Sequence, residues 1–142
     1  MTRPTMKPVT ADDPLAIFAK TPFTRLLGMR RDHSEAGQAQ ISLDPHPDLG
    51  NVIGAVHGGV VVTLLDVVMA SAAVSRVNFQ KTVVTLNLDT SFLEPGRGPL
   101  TAQGEVLRCD DDVAWCQARV CDAQGRMVAK AHGTFRYLPR PQ

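Results

Sequence analysis

The run Gly58-Gly-Val-Val-Val-Thr-Leu-Leu-Asp66-Val-Val-Met-Ala-Ser-Ala-Ala-Val-Ser75 decides the fold. Val60, Val61 and Val62 favour a strand, yet the run is far longer than a usual strand and closes on Ala70, Ala72 and Ala73, so length selects a helix. Its apolar part, Val60 to Val74, is short for a bilayer and carries Asp66 near its middle, where a charge is costly in lipid. The expectation is a buried core helix. Gly58 and Gly59 stand at its N-terminal edge, where the first amides lack intrahelical acceptors and the missing side chains let a ligand or another backbone come close.

Outward from this helix the chain reads as strands. Between Gly28 and Leu43 two short strands turn at Glu35, Ala36 and Gly37, with Ala39, Ile41 and Leu43 alternating against Gln38, Gln40 and Ser42. Residues 44–50 hold two prolines and form a loop. After the helix, Thr82 to Phe92 sets Val84, Leu86, Leu88 and Phe92 against Thr85, Asn87, Asp89 and Ser91, the period of a sheet with one buried face. Three further strands follow, with inner faces led by Leu100, Ala102 and Gly104, by Ala114, Cys116 and Ala118, and by Ala129, Ala131 and Gly133. The many small inward residues suit a sheet that curls closely round a helix. The expected architecture is one α+β domain over residues 14–139, a meander wrapped on one long helix, with Pro14 to Phe18 opening a short helix and residues 1–13 forming a flexible N-terminal arm.

A chain of 142 residues, 44% apolar and 20% charged, fits a single core. Basic residues exceed acidic ones by one, 15 against 14, and are scattered, so neither nucleic acid nor an anionic membrane is an expected partner. Cys109, Cys116 and Cys121 are odd in number and lack CxxC spacing, which argues against a disulfide framework and a zinc knuckle and points to a reducing cytoplasm. His33, His46 and His132 have no metal-ligand spacing. No metal or cofactor is expected.

Asp66 is the only charged side chain between Gly58 and Ser75. Buried carboxylates are costly unless paired or used, so it either caps or bonds a neighbouring polar group, lies on a small solvated stripe with Thr63, or carries chemistry. His57, Gly58 and Gly59 form a second constellation, because free N–H groups and the positive end of a helix dipole stabilise a developing oxyanion; His57 itself either holds the loop or acts on the substrate. Gly58 and Asp66 lie eight residues apart, ~12 Å along one helix axis. One reacting carbonyl cannot touch both within a chain, so joint action requires two subunits related by symmetry.

The stretch Asn51-Val-Ile-Gly-Ala-Val-His57-Gly58-Gly59 continuing to Leu64-Leu65-Asp66, with Phe92-Leu93-Glu94-Pro95 and the closing Gly133-Thr134-Phe135, resembles the PaaI-like hot-dog acyl-CoA thioesterases over about residues 23–137. The resemblance implies a hot-dog fold assembled as a homodimer or a dimer of dimers, with active sites at the subunit interface. It further implies hydrolysis of aryl- or medium-chain acyl-CoA without a cofactor. By position, Asp66 matches the carboxylate that attacks the thioester or activates water, Asn51 a residue near the thioester or that water, and Gly58 the oxyanion donor. His57 matches a loop support that can polarise the carbonyl, Gly59 is taken as substrate-binding, and Thr85 matches a Ser or Thr that positions water. Strand alternation sets Thr85 opposite the Val84 and Leu86 face, so it can serve only if that face meets the partner subunit.

Two rival activities remain open at this point: a hydratase or dehydratase on the same fold, and a non-catalytic acyl-CoA-binding protein. The first pairs an Asp with a nearby His. Here His57 and Asp66 are nine residues apart and point to roughly opposite sides of a helix.

Overall fold

A computed structural model describes residues 2–141. Regular structure starts where Asp13 Oδ1 accepts the Leu15 N–H at 3.0 Å and caps a 3-10 turn, Pro14–Ala16, whose first position takes the proline. Helices α1 (Ile17–Lys20) and α2 (Pro22–Leu27) follow. The second of these is absent from the sequence reading. It ends at Gly28, whose φ of 79° is the left-handed conformation that closes a helix at little steric cost.

The sheet strands are β1 (Arg30–Glu35), β2 (Gln38–Leu43), β3 (Lys81–Phe92), β4 (Leu100–Cys109), β5 (Val113–Asp122) and β6 (Met127–Pro139), and the long helix α3 runs from Gly58 to Arg76. All pairings are antiparallel, in the order β1-β2-β4-β5-β6-β3. This corrects the expected meander: β3 does not lie between β2 and β4 but crosses to the far side of β6. The sheet curls round α3, and β1 and β3 are its two free edges.

The helix is buried where the curl surrounds it. Leu64, Leu65, Val68, Met69, Ala72 and Ala73 have no exposed surface, and full burial of one large apolar side chain contributes about 1.5–3 kcal/mol. By length and composition α3 could cross a bilayer, with a mean hydropathy of 1.9, but half of that window is buried inside the curl. Gly104 on β4 sits where an added Cβ would come within 3.0 Å of the Val68 carbonyl oxygen, so the small inward residues are what let strand and helix approach. The opposite stripe of α3, with Thr63, Asp66, Val67, Ala70 and Val74 spaced three and four apart, is only half-buried and faces the gap between the sheet edges.

The expected inner face of β3 is also corrected. Val84, Leu86 and Phe92 are 45%, 55% and 56% exposed. A bulge between Thr85 and Asn87 inserts Leu86 as an extra residue, and one extra residue exchanges the faces of everything beyond it. Val83 and Thr85 pair opposite the buried Tyr137 and Phe135, and Leu88 pairs opposite Gly133, so these residues line the inner side. Val84 lies on the outer side, opposite Arg136.

Candidate active site

The helix start is built by a loop that bonds to itself. Asn51 Oδ1 accepts the Ile53 and Ala55 N–H groups at 3.1 and 2.9 Å, and its backbone N–H donates to the Ala55 carbonyl at 2.8 Å. The Val56 N–H donates to the Gly96 carbonyl at 2.8 Å, and Arg97 Nη1 donates to the Gly54 carbonyl at 2.9 Å, tying the loop to the β3–β4 connection. Arg97 is a supporting residue that no motif announces, because its partner is a carbonyl brought near only by the fold. His57 then caps α3: its N–H donates to the Leu49 carbonyl at 2.8 Å, and its Nδ1 accepts the Gly59 N–H at 2.9 Å. A nitrogen that accepts carries no proton, so Nε2 is the ring atom left to donate.

The two glycines therefore differ. The Gly59 amide is committed to His57, and a Cβ there would come within 3.1 Å of the same Nδ1; what Gly59 contributes is clearance. The Gly58 N–H is the first of the helix and has no intrahelical acceptor. It points from the positive end of a helix of 19 residues, a suitable place for a developing negative charge.

Asp66 lies two turns further on. Thr85 Oγ1 donates to its Oδ1 at 2.6 Å, a short charge-assisted bond. Thr85 thus meets Asp66 within its own chain, which overturns the expectation that it could serve only across a subunit boundary; the bulge at Leu86 is what puts it on the inner side. Among the described residues Thr85 is the only donor to the carboxylate, and Oδ2 is left free. No hydrogen bond joins the Asp66–Thr85 pair to the Asn51–Gly59 group among the described residues, as the helical rise between them dictates.

Asp66 also forms part of the wall of a cleft of about 360 Å³ in the gap between the sheet edges, lined mainly by the half-buried stripe of α3, by α1 and by the start of β3. Cys116 is no rival nucleophile: it is buried, and burial, with Cys109 adding to it, pushes its thiol up to about 12. Among the described residues no group of three or more His, Cys, Asp or Glu side chains could hold a metal ion.

The family model of the thioesterase superfamily matches residues 53–129, more than half of the chain. A protein of Saccharolobus solfataricus named "Putative esterase" is 31% identical over 115 residues, 80% of this chain and 81% of that protein. Among solved structures, a thioesterase family protein from Silicibacter pomeroyi superposes with a TM-score of 0.83 at 25% identity, over 89% of this chain and 96% of that one. The Escherichia coli PaaI protein, from the phenylacetic acid degradation operon, shares the fold with a TM-score of 0.82 at 21% identity, over 89% of this chain and 91% of its own. The curled antiparallel sheet around one helix and the matched span together place this chain in the thioesterase superfamily, as a hot-dog-fold hydrolase of thioester or ester bonds.

Proposed function

We propose that the protein hydrolyses acyl-CoA thioesters to the free acid and CoA, with Asp66 of one subunit and the Gly58 amide of the partner subunit acting on the same carbonyl. The observation that carries this reading is the Asp66–Thr85 pair, a carboxylate oriented by one short hydrogen bond on the wall of a largely apolar cleft, with its second oxygen free. Asp66 either attacks the carbonyl carbon, giving a mixed anhydride that water then hydrolyses to the free acid and the regenerated carboxylate, or takes a proton from a water that attacks the carbonyl directly. The carbonyl oxygen gathers charge against the Gly58 N–H, the C–S bond breaks, and CoA leaves as a thiolate that is protonated to the thiol. Thr85 is a positioning residue. Asn51 Oδ1 is committed to the loop, which leaves its Nδ2 donors for the thioester or the water, and His57 holds the oxyanion donor in place.

Asp66 is paired with a threonine rather than a histidine, and His57 Nδ1 is occupied, which favours hydrolysis over the Asp–His chemistry of a hydratase. The composite site implies at least a homodimer. The free β3 edge supports it, since Val84, Leu86 and Phe92, and Leu93 just after the strand, expose apolar surface along an edge strand that pairs on one side only. The free thiols of Cys109, Cys116 and Cys121 suit a cytoplasmic setting. Thiol release from a panel of aryl- and alkyl-CoA thioesters, wild type beside Asp66→Asn, tests the assignment. The variant is expected to lose about 10²–10⁴-fold in kcat. Folded wild type that turns over no thioester overturns the reading.

A further inference from the structure

The cleft beside Asp66 has a direction. Asp66, Val67, Ala70 and Val74 follow one another along the open stripe of α3, Phe18 of α1 also lines the cleft, and Phe79 lines it beyond the end of the helix. Phe79 has a φ of 61°, left-handed backbone that a bulky side chain rarely adopts, at a helix exit with no glycine to take it. Strain of this kind gathers at functional sites, and here it belongs to a ring that lines the cleft. Three cationic side chains, Arg31, Lys81 and Arg140, stand on the same walls, and two of them bond to backbone carbonyls. Arg31 Nη2 donates to the Leu15 carbonyl at 2.9 Å and lies over the Phe18 ring, while Lys81 Nζ donates to the Asp111 carbonyl at 3.1 Å and lies 5.6 Å over Tyr137.

We infer that this cleft takes a linear acyl chain of medium length, running from Asp66 past Ala70 toward Val74 and Phe79, and that Ala70 is the residue that keeps it open. From Asp66 to Val74 the helix rises ~12 Å. Three extended chain bonds span ~3.6 Å, so that path holds on the order of ten bonds, an acyl chain of about eight to ten carbons. A phenylacetyl group would fill only the part nearest Asp66 and leave the surface at Val74 and Phe79 uncovered. Ala70 stands one turn, ~6 Å, from Asp66, where a larger side chain would stop the chain after about five bonds.

The inference rests on the thioesterase reading above, and its test separates the two. Steady-state rates are measured on acetyl-, butyryl-, hexanoyl-, octanoyl-, decanoyl- and phenylacetyl-CoA for wild type, Ala70→Leu and Val74→Phe, with thermal melts to establish folding. Wild type is expected to prefer octanoyl- or decanoyl-CoA. In Ala70→Leu the ratio of kcat/KM for octanoyl- to butyryl-CoA falls tenfold or more, and in Val74→Phe the cut-off lies at a longer chain than in Ala70→Leu. Turnover of thioesters with a preference for phenylacetyl-CoA, or an octanoyl-to-butyryl ratio that Ala70→Leu leaves unchanged, overturns the acyl subsite while leaving the thioesterase standing. Absence of turnover on every thioester by folded wild type overturns both.

Discussion

The Thr85 hydroxyl and the Asp66 carboxylate are 2.6 Å apart, and that contact has a kinetic consequence distinct from binding. A positioning donor acts on the geometry of attack rather than on the affinity for CoA, so Thr85→Ala is expected to lower kcat by about ten- to a hundredfold with KM little changed, and Thr85→Ser to restore most of it. A change confined to KM would place Thr85 in substrate binding instead. A buried carboxylate elsewhere, Asp122, has a structural role. Burial raises the Asp122 carboxyl, but the Arg126 and Gln124 N–H groups and the Arg126 guanidinium together hold it below the usual carboxylate range. A depressed folded value means stability that is complete above the unfolded value of about 4 and lost as pH falls through the folded one. The melting-temperature gap between wild type and Asp122→Asn is therefore expected to be largest near neutral pH and to close on acidification below about pH 4.

At the scale of elements, the closeness of α3 to β4 depends on one missing side chain. A Cβ at Gly104 would lie 3.0 Å from the Val68 carbonyl oxygen and 3.1 Å from its carbonyl carbon, helix backbone that cannot rotate aside. Gly104→Ala is expected to lower unfolding free energy by about 1–3 kcal/mol in chemical denaturation. The same layer explains what period-two counting could and could not see. On β2, β4, β5 and β6 the alternation Ala39-Ile41-Leu43, Leu100-Ala102-Gly104, Ala114-Cys116-Ala118 and Ala129-Ala131-Gly133 matches the buried face. On β3 it does not, because Leu86 is a bulge and the apolar residues on either side of it belong to different faces. Helix α2 was hidden for another reason: six residues are too few to show a helical period, and its stop at Gly28 reads equally well as the turn before a strand.

For the whole molecule the decisive number is the ~12 Å between Gly58 and Asp66 along α3. A site that uses both must be shared, and Gly58→Pro supplies a clean probe. Proline removes the N–H, adds a Cβ that meets the Phe92 ring at an ordinary 3.5 Å, suits the first turn of a helix, and follows His57, whose φ of −58° and ψ of 137° are the extended values a residue before proline prefers. Gly58→Pro and Asp66→Asn are each expected to lose turnover, by about 10²–10³-fold in kcat for the amide. Randomly mixed subunits of the two should regain about a quarter of wild-type activity, because half of the dimers are mixed and each carries one intact site of two. Recovery that never exceeds the separate variants would put both groups in one chain or outside the chemistry.

Chain length and one-dimensional pattern determined that Gly58 to Ser75 is a helix, that strands flank it, and that Asp66 is an ionisable group on an otherwise apolar element. Those properties are local: they depend on spacing along the chain, which a sequence displays directly. Only the tertiary structure decided that β3 pairs with β6, that a bulge turns Thr85 toward Asp66, that Arg97 holds the loop at Gly54, and that the half-buried stripe of α3 opens a cleft toward Phe79. Each depends on which distant segments the curled sheet brings together. One inserted residue or one crossover changes that outcome without changing any pattern that can be counted along the chain.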